Sequence, residues 1–246
     1  MTKEEFLGIA SHELRTPLTT IKANIQLSMR NLKSAIQQNK DIPVHALEKM
    51  NAAYEMLGRA DYHIAILNRL VGDMLDVSRI QSGKLQHHMY EAPCDLLAIL
   101  CKAVQEQQKE VPNRRIVFEA QANEAVMIFA DPNRIHQVIT NYLSNALKYS
   151  APEKPILVRL DLEGQLAHVC VRDEGQGLSE EEQKRVWECF YQSPEVRVLS
   201  GPGVGLGIGL SVNKAIIEQY HGQVGMSSRR GEGSTFWFTL PLICQE

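Results

Sequence analysis

Apolar residues in the first third of the chain recur three, four or seven positions apart. Leu7, Leu14, Leu18, Ile21, Ile25, Leu32 and Ile36 make one stripe; Leu47, Met50, Tyr54, Leu57, Ile64, Leu67, Val71 and Leu75 make a second. Such spacing gathers each set on one face of a helix. Between them lies Asn39-Lys40-Asp41-Ile42-Pro43, polar and ended by a breaker. The pattern predicts two long helices joined by a short turn, an antiparallel hairpin. One hairpin covers only part of its apolar surface. Two of them about a two-fold axis would make a four-helix bundle, so a homodimer is expected.

Ser82-Gly83 closes the second helix, and the rhythm changes. Helices are predicted over residues 94–110, 132–149, 180–187 and 210–220. Strands are predicted over residues 115–120, 156–162, 166–172, 223–228 and 235–240, with Glu163-Gly164-Gln165 and residues 229–233 as hairpin turns. The expected fold class is α+β: a helical hairpin, then a mostly antiparallel sheet covered by helices on one face. Two domains follow, residues 1–82 and 83–246.

The balance of residue types is that of a globular protein, 44% hydrophobic and 22% charged. A net charge of −3 gives no reason to expect nucleic acid or an anionic membrane as partner. Five cysteines are scattered without a C-x-x-C, which fits a reduced compartment and neither a disulfide framework nor a zinc site. No apolar run approaches the roughly 18–20 residues of a membrane span, and the first residues lack the layout of a signal peptide. A cytoplasmic location is expected, alone or as the cytoplasmic part of a larger, membrane-anchored protein.

Chemistry enters with Phe6-Leu7-Gly8-Ile9-Ala10-Ser11-His12-Glu13-Leu14-Arg15-Thr16-Pro17-Leu18. At about 100° per residue, His12 falls roughly 150° from the apolar stripe and is expected to face solvent. Thr16 shares its face one turn on. Pro17 lacks the N–H that would bond the Glu13 carbonyl, so the helix is expected to loosen or bend there. A nucleophilic histidine needs one ring nitrogen free and the other held. Glu13 is the natural acceptor for the held N–H, and Arg15 has the charge to neutralise a phosphoryl group. Taken alone, the pair reads as an ordinary surface histidine. The stretch as a whole resembles the H box of sensor histidine kinases, including the mid-helix proline. That resemblance implies His12 as phosphoacceptor, Glu13 as the acidic residue of the transfer, and Glu13 with Thr16 as a phosphatase motif.

Four further segments carry nucleotide chemistry. Asp131-Pro132 opens a helix as N-cap and first-turn proline. Along it Asn141, Asn145 and Lys148 lie within about 60° of one another, with Tyr149 on the flank and Ile135, Val138, Ile139, Tyr142, Leu143 and Ala146 opposite. Asparagine costs helix propensity, and its oxygen suits a hard cation such as Mg²⁺. Lys148 reaches phosphate, and Tyr149 offers an aromatic face. Asp173-Glu174-Gly175-Gln176-Gly177 follows a strand directly, giving an acceptor and a backbone that approaches a flat ring closely. Gly201-Pro202-Gly203-Val204-Gly205-Leu206-Gly207-Ile208-Gly209-Leu210 leads into a helix, whose first N–H groups attract phosphate. Residues 192–200 before it are polar and read as a mobile lid. Gly231-Glu232-Gly233-Ser234-Thr235-Phe236 turns into the last strand.

In their order and spacing these segments resemble the N box and glycine boxes of the histidine kinase ATP-binding domain, a fold shared with type II topoisomerase ATPase subunits and chaperones of the heat-shock 90 type. The resemblance implies ATP and Mg²⁺ as cofactors, with Asn145 the main metal ligand and Asn141 near it. It implies Lys148 on phosphate, Tyr149 on the base and Asp173 on the adenine amino group. Gly175 and Gly177 would line the base pocket, Gly203, Gly205, Gly207 and Gly209 wrap the phosphates, Leu210 open the helix behind them, and Thr235 lie at the pocket floor. The implied activity is autophosphorylation of His12, then transfer to an aspartate on the receiver domain of a response regulator. The segment Val186-Trp187-Glu188-Cys189-Phe190-Tyr191-Gln192 departs from the family, which often has Arg where Cys189 and Gln192 stand. An ATP hydrolase on the same fold is the competing enzyme reading; it would carry Glu where Asn141 stands. A dimeric scaffold that binds ATP without transfer is the non-enzymatic one.

Overall fold

A computed structural model describes residues 3–38, 42–81, 90–121, 124–199 and 206–243, with the backbone alone for residues 3–17, 38, 69 and 81. The chain divides into two compact units, Met1–Ser82 and Gly83–Glu246. Among the described residues no helix is long and apolar enough to cross a membrane.

The first unit is a hairpin of α1 (Lys3–Gln38) and α2 (Val44–Gln81), packed along one another. Pro43 starts α2: its carbonyl accepts the N–H groups of Ala46 at 2.8 Å and Leu47 at 3.0 Å. Residues 39–41 of the expected turn lie outside the described residues. α1 continues as helix through Pro17. Leu18, Ile25, Leu32 and Ile36 are half-buried, and Ile64, Val71 and Leu75 are buried. Ile21 and Leu67 are 48% and 47% exposed, although both stand in the predicted stripes. One partner helix covers a narrower seam than the stripe is wide, so the flanks of the stripe stay open.

The second unit runs β1 (Ala92–Asp95), α3 (Leu96–Glu110), β2 (Ile116–Ala120), β3 (Met127–Ala130), α4 (Pro132–Tyr149), β4 (Ile156–Glu163), β5 (Leu166–Asp173), α5 (Glu180–Arg185), α6 (Gly209–Gln219), β6 (Gln223–Arg229) and β7 (Gly233–Pro241). Five strands form one sheet in the order β2-β4-β5-β7-β6. The β2–β4 pair is parallel and the others antiparallel. Val158, Leu160, Val169, Val171, Phe236, Phe238 and Leu240 are buried on one face of the sheet. Against that face pack α3, α4 and α6, with Leu100, Ile135, Ile139, Tyr142, Leu143 and Ile216 buried. Each such side chain is worth about 1.5–3 kcal/mol relative to exposure. The sheet with helices on one face is the architecture its alternation predicts.

Local chemistry sets the boundaries. Asp131 caps α4 by accepting the Asn133 N–H at 2.8 Å, and Pro132 stands in its first turn, as expected. Predicted to start at Cys94, α3 instead starts at Leu96. Asp95 Oδ1 accepts the N–H groups of Leu97 and Val126, both at 3.0 Å, and residues 92–95 pair with β3 as a two-stranded sheet. Neither β1 nor β3 was predicted; each is four residues long. The short α5 ends at Arg185 rather than residue 187, behind a capping box of Ser179 and Glu182.

Candidate functional site

The polar face of α4, the turn after β5 and the start of α6 meet. Asp173 ends β5, is 4% exposed, and accepts the Gly175 N–H on Oδ1 at 2.8 Å. Burial pushes its carboxyl up to about 6; backbone bonds from Gly175 and Ser234 and the charge of Arg114 pull back only in part. Gly175 abuts the end of α4: a Cβ there would lie 2.5 Å from the Tyr149 carbonyl oxygen and 2.7 Å from Asp173 Oδ1. Gly177 has φ +67°.

On α4, Asn141 donates from Nδ2 to Asn213 Oδ1 at 3.1 Å, and Asn213 donates to the Val138 carbonyl at 3.2 Å. Buried Asn213 thus ties α6 to α4. Gly209, the first residue of α6, lies against the Asn141 amide, where a Cβ would be 2.7 Å from Oδ1. Asn145 is half-buried and makes no side-chain hydrogen bond among the described residues. Lys148 Nζ stands 5.0 Å from the centre of the Tyr149 ring. Gly207 has φ +69°, and its carbonyl accepts the Phe190 N–H at 2.9 Å. Leu210 is half-buried in the first turn of α6, which has no side-chain cap. Gly203 and Gly205 lie outside the described residues. Of His12, Glu13 and Thr16 the structure gives only that they stand in α1.

Two expectations are corrected. Thr235 was assigned to the pocket floor, but it pairs with Arg172, while Asp173 pairs with Ser234. Side chains alternate across a sheet, so Thr235 shares the face of Arg172, away from the helices. Ser234 shares the face of Asp173, is buried, and has its hydroxyl 3.0 Å from Ser228 Oγ. Residues 192–200 were expected to be a mobile lid. Its described part is fastened instead: the Leu199 N–H donates to the Lys148 carbonyl at 2.9 Å, and the Ser193 hydroxyl bonds the Glu182 carboxylate.

Sequence reasoning missed Arg114, Asn213 and Glu182. Arg114 is buried and donates to the Ser150 carbonyl at 3.4 Å, to the Ala151 carbonyl and to the Ser150 hydroxyl, locking the end of α4. Burial pushes the pKa of Glu182 up, but bonds from the Ser193 hydroxyl and from the N–H and hydroxyl of Ser179, with the charge of Arg230, outweigh it and hold the carboxyl at about 2. A capping box was the one signal legible for Glu182.

Among the described residues no three His, Cys, Asp or Glu side chains converge on a metal position. The Asn145 amide, without a hydrogen bond among the described residues, fits a hard cation that takes its other oxygens from phosphate and water.

Two family models match the chain. Residues 2–83 match the His Kinase A (phospho-acceptor) domain, and residues 130–243 match the Histidine kinase-, DNA gyrase B-, and HSP90-like ATPase. The chain is 31% identical to the circadian input-output histidine kinase CikA of Synechococcus elongatus, over 97% of this chain and 30% of that protein. It is 31% identical to the adaptive-response sensory kinase SasA of Crocosphaera subtropica, over 98% of this chain and 59% of that one. It is 30% identical to the sensor histidine kinase WalK of Bacillus subtilis, over 97% and 36%. The chain therefore spans between about a third and three-fifths of these relatives. In fold it is similar to full-length ShkA in complex with AMPPNP, with a TM-score of 0.68 and 23% identity, over 99% of this chain and 47% of that one. The histidine kinase AdeS of Acinetobacter baumannii gives a TM-score of 0.56 and 21% identity, over 95% and 98%.

Proposed function

We propose the following function for this chain, which belongs to the sensor histidine kinases of two-component signalling and carries their phosphoacceptor and ATPase domains. The second unit binds ATP, and the γ-phosphoryl group passes to His12 and then to an aspartate on the receiver domain of a response regulator. Residues 1–82 serve as the dimerisation and phosphoacceptor domain, pairing with a second copy, and residues 83–246 as the catalytic domain. The observation that carries the reading is the buried Asp173, with one oxygen turned to Gly175, beside an α4 face whose Asn145 amide is free among the described residues.

Each residue has a chemical task. Asp173 accepts from the adenine amino group, and Gly175 leaves room for the ring beside it. The open N-terminus of α6 and Lys148 take negative charge from the phosphates. Asn145, with Asn141 beside it, would hold Mg²⁺, which neutralises charge on the phosphates when bound. His12 attacks the γ-phosphorus through Nε2; the bond to the β–γ bridging oxygen breaks, and ADP leaves with that electron pair. Glu13 holds Nδ1–H, so the attacking nitrogen keeps its lone pair.

Incubation with γ-labelled ATP is expected to leave an acid-labile phosphate on the protein. His12→Gln is expected to lose the label and still bind ATP. Label surviving in that variant refutes the assignment. Steady phosphate release without label would favour simple hydrolysis. Against hydrolysis stands Asn141, whose amide is engaged by Asn213 and takes no proton from water.

A further inference from the structure

The side chain of Gln176 bonds the backbone of Arg197 at two points. Nε2 donates to the Arg197 carbonyl at 2.7 Å, and Oε1 accepts the Arg197 N–H at 3.3 Å. A primary amide sets one donor beside one acceptor, the pair that a neighbouring strand would present. Gln176 is itself held, since its carbonyl accepts the Gly231 N–H at 2.8 Å. It stands between Gly175, which bonds Asp173, and Gly177. The position of Arg197 is therefore set directly by the turn that carries Asp173.

The rest of the segment is fastened on both sides of this point. Toward its start, Ser193 bonds Glu182, its hydroxyl accepts the Val196 N–H at 3.2 Å, and Arg230 joins Glu182 at 3.4 Å and Glu195. At its end, Leu199 reaches the carbonyl of Lys148. Residues 193–199 thus touch α5, the Asp173 turn and the end of α4 in succession. Gln176 supplies the middle fastening, with two bonds from one side chain.

We propose that Gln176 is a positioning residue for nucleotide retention: its amide holds residues 193–199 against the Asp173 turn and so slows departure of the bound nucleotide. This deepens the reading of the second unit as an ATP site and rests on it. Gln176 acts through the Arg197 backbone, so both functions of the amide are required. Gln176→Ala removes both. Gln176→Glu keeps an acceptor and turns a second oxygen on the Arg197 carbonyl.

The test compares the wild-type chain with both variants, by amide hydrogen exchange and by stopped-flow displacement of a fluorescent ATP analogue. Both variants are expected to exchange faster over residues 193–199 and to release the analogue about tenfold faster, Gln176→Ala by losing two modest hydrogen bonds and Gln176→Glu by losing one and setting two oxygens against each other. Association rate and exchange in α4 are expected to stay at wild-type values. Unchanged exchange over 193–199 overturns the proposal. So does an unchanged release rate despite faster exchange, or an equal loosening of α4, which marks general destabilisation. If the wild-type chain binds the analogue, a failure belongs to Gln176. If it does not, the ATP reading falls, and retention with it.

Discussion

The Gly175 N–H donates to Asp173 Oδ1 at 2.8 Å, which closes the strand end on itself. The cost of burying this carboxylate makes it a reporter of both stability and binding.

The folded-state pKa of Asp173 is about 6, above its ordinary 3.8. The folded chain then binds the proton more tightly than the unfolded one, and stability falls as pH rises from about 4 to about 6. Asp173→Asn is expected to raise stability above that window by up to about 3 kcal/mol in urea melts. The same variant is expected to bind ATP at least about tenfold more weakly in a titration. A variant no more stable than wild type at pH 8 would contradict the first half.

Glu182 titrates with the opposite sign. Its folded value of about 2 lies below the ordinary 4.5, so its contribution is present above pH 4.5 and is lost as pH falls toward 2. Glu182→Gln is expected to cost about 1–3 kcal/mol at pH 7 and to flatten the stability profile between pH 4.5 and about 2. Melts of both proteins at pH 7 and pH 3 decide it.

Asn145 and Asn141 share one helix face but respond differently to alanine. Asn145→Ala breaks no bond among the described residues and improves helix propensity, so a gain of about 0.5 kcal/mol is expected. It is expected to abolish the Mg²⁺ dependence of nucleotide binding, read by titration with and without the metal. Asn141→Ala severs the bond to Asn213 and is expected to cost about 1 kcal/mol.

Arg114→Leu removes the guanidinium donor to the Ser150 carbonyl and hydroxyl and one of the two donors to the Ala151 carbonyl, which keeps the Lys154 N–H. A loss of about 2–4 kcal/mol is expected in denaturant melts. The charge that restrains Asp173 also goes, so the pH midpoint of ATP binding is expected to move up.

Legibility followed the range of the interactions. Sequence reasoning gave α4 residue for residue, since its cap, its proline and its apolar period all act within a few positions. It missed β1 and β3, because four residues become a strand only when a partner more than thirty positions away is present. The Thr235 assignment failed by one residue: face parity depends on the register with β5, which motif spacing does not encode. Polarity in residues 192–200 was read as freedom. Their fastenings come from Gln176 and Glu182, side chains that look like ordinary surface residues until the turns are folded.

The small pairing of β1 with β3 has a mechanical consequence. Ile128 is flanked by Cys94 on one side and by Leu242 on the other, and the Ile243 N–H donates to the Met127 carbonyl at 2.9 Å. Inbound and outbound threads of this unit are therefore stitched to a single short ribbon, about 10 Å apart. That ribbon runs straight into Asp131, the cap of the asparagine-bearing helix. A tug on either thread loads the ribbon first and reaches the root of that helix one residue later.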